Sequence, residues 1–412
     1  MLGAVGIIAE YNPFHNGHMF QIELIKRNFP GRPVICVMSG NFVQRGEPAI
    51  WNKFTRAKAA LLCGADMIVE LPVIFATASA EYFAHYALSL LAALGCVEYL
   101  CFGSESGELD FLEKAADMLL TESYSFKAEL KAGLAKGHSY PLARHNALIH
   151  LLPGSSYILD KPNNILGIEY IKAIKRLGSN IKPYAIKREG EGYHSGDYTK
   201  FFSSAKAIRA AFRAGQNDPA GIPEILKNYY GEFIAQKDFH DFDRLSTVLG
   251  YIVKTRSPQY LAGILDVDEG LHNRICEVFG KEQLISKSLE RLKCKRYAYT
   301  RLMRSLLHIL LDITKEDFEQ IYSLGPHYIR VLGFRKESGH LFNKITKSAK
   351  IPLIAGLKNY RSNLTDTGRK LIEKEIMSTD IYNLAGLHAL PKNAEFSEQI
   401  VVVGTSPKHF RV

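Results

Sequence analysis

The chain has 412 residues, of which 47% are apolar and 23% charged, near the average for soluble globular proteins and enough for two or three domains with ample core. No stretch of about 18 residues is apolar enough to span a membrane, and the N-terminal apolar run lacks a basic flank and is broken by Glu10 and Asn12, unlike a signal peptide. The net charge of +10 is uneven: residues 1–150 hold 12 Lys and Arg against 14 Asp and Glu, whereas residues 281–374 hold 20 against 9.

The first part therefore reads as an ordinary enzyme domain. The later part carries a basic field suited to an anionic polymer or surface, or simply a solvated basic face. Six cysteines (Cys36, Cys63, Cys96, Cys101, Cys276 and Cys294) form no C-x-x-C pair and no zinc spacing with histidine. They read as reduced, mostly structural thiols of a cytosolic protein.

In chain order, the apolar run Ala4 to Ala9 predicts a buried strand, and Asn12-Pro13 a turn. His15-Asn16-Gly17-His18 then opens a helix expected over Met19 to Arg27. Pro33 to Gly40 predicts a second buried strand, followed by a polar loop from Asn41 to Pro48. Trp51 to Cys63 has helical spacing and carries Lys53, Arg56 and Lys58. Met67 to Leu71 predicts a third strand, Ser79 to Leu94 a helix, and Val97 to Phe102 a fourth strand ending at Gly103-Ser104-Glu105. Residues 108–150 read as helical, and Lys161 to Gly167 as a turn before a helix over Ile168 to Leu177. Ile181 to Lys187 fits a further strand, ending at Arg188 before a Gly-rich loop over Glu189 to Tyr198. Ser203 or Ser204 caps a helix that carries Arg209. From about 217 the pattern is mostly helical. Strands alternating with helices of this length predict an α/β fold with a doubly wound parallel sheet over 1–216 and a mainly helical, basic region over 217–412. Ligands bind such sheets beyond the carboxyl ends of the strands, where His15–His18, Ser39–Glu47 and Gly103–Glu105 lie.

His15 to His18 fits H-x-G-H at a helix N-terminus, where amides and dipole favour anions. Glycine at 17 permits close approach of phosphate, and the imidazoles can donate to phosphate oxygens as an α-phosphorus is attacked. Ser203-Ser204 with Arg209 supplies a second helix N-terminus and a cation for the outer phosphates. Each motif taken singly also reads as an ordinary helix cap.

Together, H-x-G-H after the first strand and S-S-x-x-x-I-R near residue 209 resemble the Rossmann-like nucleotidyltransferase superfamily. The longer stretches Glu10–His18, Met38–Pro48, Phe102–Glu105 and Lys161–Gly167 resemble the bacterial tRNA(Met) cytidine acetate ligases, over the first 210 residues and more loosely beyond. The resemblance implies an ATP-dependent, carbon–nitrogen bond-forming ligase. Acetate attacks the α-phosphate of ATP to give acetyl-adenylate, and the wobble cytidine of elongator tRNA(Met) takes the acetyl group on N4. Such chemistry asks for positioning and charge neutralisation rather than a covalent nucleophile.

The resemblance also implies ATP contacts along Ile7, Ile8, Ala9, Glu10, Tyr11, Asn12, Pro13, Phe14, His15, Asn16, Gly17, His18, Met19, Phe20 and Gln21, with His15 and His18 catalytic. It adds Gly103, Asn164 or its neighbour Asn163, Arg188 and, from the superfamily's second motif, Ser203, Ser204 and Arg209. The bland alternatives are a turn glycine, turn or cap asparagines and a surface arginine. Arg45, Lys53 and Arg56 follow the second strand and are candidates for acetate, pyrophosphate or tRNA, or for a solvated face. Glu70 reads as structural. ATP is the expected nucleotide, with Mg²⁺ as its counter-ion; no protein metal site is expected.

Between Arg291 and His308, helical periodicity puts Arg301, Arg304 and His308 on one stripe and Leu302, Leu306, Ile309 and Leu310 on another. Lys293, Lys295 and Arg296 stand just ahead, beside Tyr297 and Tyr299. Cations beside rings suit the splayed bases of an anticodon loop, so Lys295, Arg296, Tyr297, Arg301 and Arg304 are the candidate tRNA contacts. The alternative is an amphipathic helix with core tyrosines. Arg335, Lys336, Lys344, Lys347 and Lys350 extend the basic surface. The competing functional readings are an adenylyltransferase joining AMP to a phosphorylated metabolite, and a nucleotide-binding RNA-interaction protein without catalysis.

Overall fold

Successive residues of the first strands point to opposite faces, and both faces are buried. In β1 (Ala4–Ala9), β2 (Val34–Ser39) and β5 (Met67–Leu71), Ile35, Val37, Met67 and Val69 belong to one apolar cluster, while Val5, Ile7, Cys36, Met38 and Ile68 belong to the other. Each cluster is closed by helices. Asn16–Asn28 and Lys53–Leu62 cover one face; Ala80–Ala93 and Pro162–Arg176 cover the other. This computed structural model describes residues 2–138, 140–152, 161–188, 203–217, 220–294, 296–387 and 391–404.

β6 (Val97–Ser104) and β7 (Lys182–Lys187) complete a parallel set in the order β5-β2-β1-β6-β7. The order reverses between β1 and β6, and the crevice at such a reversal is where doubly wound sheets bind ligands. The parallel sheet was expected; its extension was not. Beyond residue 217, β8 (Ile329–Arg335) pairs antiparallel with β5, and β10 (Val401–Val403) lies parallel to β8, with the short β9 (Leu353–Ile354) also on β8. The helices of the later part run from Glu224–Ala235 to Asp366–Asn383. A buried ion cluster joins the two parts: Lys53 pairs with Glu70 at 2.6 Å and with Glu395, and Arg330 reaches Glu70 at 3.0 Å.

Three local expectations change. The first helix starts at Asn16 rather than Met19, because His15 acts as its N-cap. The stretch expected as a turn before Ile168 is already helical from Pro162, a residue suited to the first turn because its missing N–H has no partner there. The polar loop after β2 folds into a small antiparallel hairpin, β3 (Phe42–Val43) with β4 (Glu47–Pro48). The Gly-rich loop expected over Glu189 to Tyr198 lies outside the described residues. All six cysteines are free thiols, and Cys36 meets the Tyr11 hydroxyl at 3.3 Å. No helix among the described residues is long and apolar enough to cross a membrane.

Candidate active site

The chain leaves β1 through a tightly held corner. Tyr11 takes a left-handed backbone, φ 49°, and its ring packs on Phe14 and His18 at centroid distances of 4.9 Å each. The Asn12 side-chain oxygen accepts from the Ile50 amide at 2.8 Å, and the Asn12 carbonyl accepts from Arg209 at 2.7 Å. Arg56, fully buried, donates to the carbonyls of Glu10, Ser39, Gly40 and Trp51. It therefore staples the ends of β1 and β2 instead of facing a ligand. Lys53 is likewise sealed in the ion cluster, so neither cation expected at the crevice is available to substrate. Arg45 is exposed on the hairpin and does reach it.

The two motif histidines cap one another's turn. His15 Nδ1 accepts from the Gly17 amide at 3.1 Å, and His18 Nδ1 accepts from the His15 amide at 3.3 Å. The rings stack, with centroids 3.7 Å apart. A Cβ on Gly17 would stand 3.0 Å from His15 Cε1, so a bare residue there lets the ring keep its cap. Burial, with the positive charge of Arg188 nearby, drives the His15 pKa down to about 3. Burial, His15 and Arg188 together push His18 well down too. Both imidazoles are neutral near pH 7. Since each Nδ1 is an acceptor, each proton sits on Nε2. Of the two, His18 lines the cavity and offers it a neutral Nε2–H donor.

Opposite this corner, β6 ends at Gly103 and Ser104. Asn164, buried in the first turn of Pro162–Arg176, accepts through Oδ1 from Ser104 Oγ at 2.6 Å and from the Glu105 amide at 2.9 Å. Glu105 returns the contact, accepting from Asn163 Nδ2 at 2.6 Å and from the Asn164 amide at 3.0 Å. Asn164 therefore shapes the loop, while Asn163 stands on the cavity wall.

Between the two sides lies a cavity of about 500 Å³. Of the residues expected to contact nucleotide, Ile8, Ala9, Glu10, Tyr11, Asn12, His18, Gln21, Gly103, Asn163, Arg188 and Arg209 line it. Ile7 and Phe14 are instead in the core, Met19 packs against it, and Asn16 is buried with its amide donating to Gly221. Pro13, His15, Gly17 and Asn164 shape the corner or the loop without lining the cavity, and Phe20, within the first helix, does not line it either. Ser203 and Ser204 do not line it either; Ser204 caps its helix through the Ala207 amide at 3.2 Å, and Ala205 is the lining residue. Arg209 also pairs with Glu47 at 2.8 Å. Sequence reasoning missed the apolar wall of Phe83, Phe102, Ile165, Leu166 and Tyr170, together with Gln44 and Thr300. Only Phe102 carried a local signal, as the residue before the strand-end glycine.

Thr300 brings the later part to the site, at the start of the helix Tyr299–Leu310. This helix corrects the expected basic face. Arg304 is buried and donates to Asp266 at 2.8 Å, Arg301 pairs with Asp268 and Glu269 at 3.6 and 3.7 Å, and His308 is enclosed between the carbonyls of Leu265 and Thr77. Tyr297 is core, its hydroxyl donating to the Glu269 carbonyl at 2.9 Å. Arg296 remains exposed, 3.3 Å from Glu269. Lys295 lies outside the described residues. Tyr299, by contrast, is 51% exposed beside Thr300.

The cavity combines the cations Arg45, Arg188 and Arg209, the neutral imidazole donor of His18, a glycine edge and an apolar wall. That set accepts a polyphosphate with a planar base and can stabilise charge on a phosphorus under attack. The HIGH Nucleotidyl Transferase family model matches residues 2–395. A tRNA(Met) cytidine acetate ligase of Halothermothrix orenii is 39% identical over 397 residues, 92% of this chain and 94% of that protein. One from Caldanaerobacter subterraneus is 38% identical over 409 residues, 97% and 99% of the two chains. The crystal structure of Thermotoga maritima TmcAL bound with alpha-thio ATP matches with a TM-score of 0.90 at 31% identity, covering 98% of this chain and 100% of that one.

Proposed function

Because this chain belongs to the HIGH nucleotidyl transferase family, we propose that it is an ATP-dependent ligase that acetylates N4 of the wobble cytidine of elongator tRNA(Met) through acetyl-adenylate. The observation that carries the reading is the cavity of about 500 Å³ at the β1/β6 crevice, which the neutral His18 and the cation Arg188 both line. An acetate oxygen attacks the α-phosphorus and pyrophosphate leaves. The cytidine N4 then attacks the acetyl carbon and AMP leaves. His18 donates through Nε2 to the α-phosphate as its charge grows, and the expected catalytic part of His15 is to hold that ring, stacked on it at 3.7 Å. Arg188, Arg45 and Arg209 neutralise the outer phosphates. Gly103 and Asn163 border the base or ribose, against the apolar wall. Mg²⁺ enters as the counter-ion of the ATP phosphates; among the described residues no cluster of three or more His, Cys, Asp or Glu stands ready to bind it without nucleotide.

In this reading residues 1–216 supply the activation chemistry and residues 217–412 the tRNA contacts, with Arg296 and Tyr299 as exposed groups ahead of the cavity residue Thr300 in the chain. A reaction on tRNA and ATP takes place in the cytoplasm. The test is one incubation of purified protein with ATP, Mg²⁺, radiolabelled acetate and transcribed elongator tRNA(Met), followed by nucleoside analysis. Label is expected in N4-acetylcytidine and is expected to vanish with His18→Ala or with a changed wobble base. Absence of label from RNA, with AMP passed instead to a phosphorylated metabolite, would give the small-molecule adenylyltransferase reading.

A further inference from the structure

We propose that Glu10 is the general base of the acetyl-transfer step, accepting through Oε2 the proton that the cytidine amine sheds as it attacks the acetyl carbon. The inference rests on the ligase reading above and extends it to a group whose role that reading leaves open.

The two half-reactions differ in their need for a base. Acetate attacks phosphorus as an anion and has no proton to lose. The exocyclic amine of cytidine is a weak nucleophile, because its lone pair is delocalised into the ring. As the bond from N4 to the acetyl carbon forms, the bond from that carbon to the phosphate oxygen breaks, AMP departs with the electron pair, and one N4 proton must leave. A positioned base is therefore useful in the second half-reaction alone.

Few groups at the cavity can serve. Each motif histidine uses Nδ1 to accept from a backbone amide and carries its proton on Nε2, so neither has a free lone pair without breaking its cap. The Tyr11 hydroxyl is engaged with Cys36, and the phenol of Tyr170 is held protonated by burial. Arg45, Arg188 and Arg209 are cations. Among the described residues, Glu10 is the only carboxylate on the cavity wall.

Its geometry suits the task. The Gln44 amide donates to Oε1 at 2.9 Å and fixes the carboxyl plane, while nothing among the described residues hydrogen-bonds Oε2. Arg56 holds the Glu10 carbonyl from behind. The charged and titratable groups around the carboxyl are Glu47 and Arg45 of the hairpin, Arg209 of the Ala205–Arg213 helix, Tyr170 of the Pro162–Arg176 helix and Arg56 of the Lys53–Leu62 helix. Burial raises its pKa; the Gln44 amide opposes the rise, Glu47 adds to it, and the two arginines oppose it, leaving the group more basic than an ordinary carboxylate. A base whose pKa lies nearer the working pH takes a proton more effectively. The accepted proton can leave to solvent through the open cavity once AMP has gone.

The experiment separates the half-reactions in the full chain. Acetate-dependent exchange of pyrophosphate into ATP reads activation, and single-turnover acetylation of elongator tRNA(Met) from preformed acetyl-adenylate reads transfer. For Glu10→Gln, transfer is expected to fall about 100-fold or more relative to exchange. The acid limb of the transfer rate against pH is expected in the wild-type chain and absent from the variant. Glu10→Asp, which keeps a carboxylate on a shorter arm, should recover part of the rate and retain the limb. Equal losses in both assays, or transfer unchanged in Glu10→Gln, would overturn the assignment. Absence of acetate-dependent exchange in the wild-type chain would instead overturn the ligase reading itself, so the two failures are distinguishable.

Discussion

Arg188 lies across Gly103: a Cβ at position 103 would stand 3.2 Å from Arg188 Cγ and 3.4 Å from its Cδ. The backbones are coupled as well, the Arg188 amide donating to the Ser104 carbonyl at 2.8 Å. The bare glycine at the end of β6 thus sets the path of the arginine stem and the place of its guanidinium on the cavity wall. Gly103→Ala should push the stem outward without disturbing the sheet. We expect KM for ATP to rise about tenfold, the equivalent of about 1.4 kcal/mol, with little change in melting temperature. An unchanged KM would show that the guanidinium reaches phosphate from either path.

The capping role of His15 makes a prediction about acid stability. Unfolded histidine binds a proton near pH 6.5, whereas folded His15 does so at about 3. Between those values the unfolded chain holds the extra proton, so acid favours unfolding, and stability falls as pH drops through this window. The slope for one such group is about 1.4 kcal/mol per pH unit. Asparagine is also a good N-cap. Urea unfolding of His15→Asn should therefore match the wild type closely at pH 7.5 and fall less steeply between pH 6 and 4. Parallel pH curves for the two proteins would contradict the buried, neutral state of this ring.

The neighbouring tyrosines should behave oppositely. Tyr297 is 6% exposed and Tyr299 51%. Tyr297→Ala removes a packed ring and is expected to cost about 3 kcal/mol or more of stability. Tyr299→Ala should leave the melting curve alone. If an RNA base stacks there on its way to the cavity, the substitution weakens tRNA binding by about 1–3 kcal/mol, read as KM for tRNA with KM for ATP unchanged. Loss of stability in both variants, with no change in KM for tRNA, would remove Tyr299 from the RNA path.

Lys53 anchors the joint between the first part of the chain and the last. Its amine sits between Glu70 and Glu395, with Arg330 completing the cluster. Lys53→Met leaves the carboxylates short of a cation in a buried setting, which costs about 3–5 kcal/mol. We expect a large drop in urea midpoint. The double change Lys53→Met with Glu395→Gln should recover part of it, and failure to recover would mean that the two residues do not act as a pair.

Some of this was legible in the chain. Residues 4–9, 34–39 and 67–71 read as buried strands because near-continuous apolar runs bounded by turn residues leave few other choices. The H-x-G-H corner was legible because its residues are neighbours in sequence and their backbone contacts span only two or three residues. The helix start at Pro162 was not, since Lys161–Gly167 carries turn-forming residues whose preference is overruled by Glu105, which binds the first turn from the bend just after β6, 58 residues away.

The parallel α/β core, the strand ends beyond which such sheets bind ligands and the motif that marks them were all readable along the chain. These depend on local periodicity and on contacts within a few residues. Tertiary structure alone decided which charges face substrate. Arg304 and Arg45 carry the same group, yet one is buried against Asp266 and the other is exposed on the cavity wall. The periodicity of a helix says which of its faces is polar. Whether that face meets solvent or an acidic loop more than thirty residues away is set by long-range packing, and so is the apolar wall that gathers Phe83, Phe102 and Tyr170 from three separate elements.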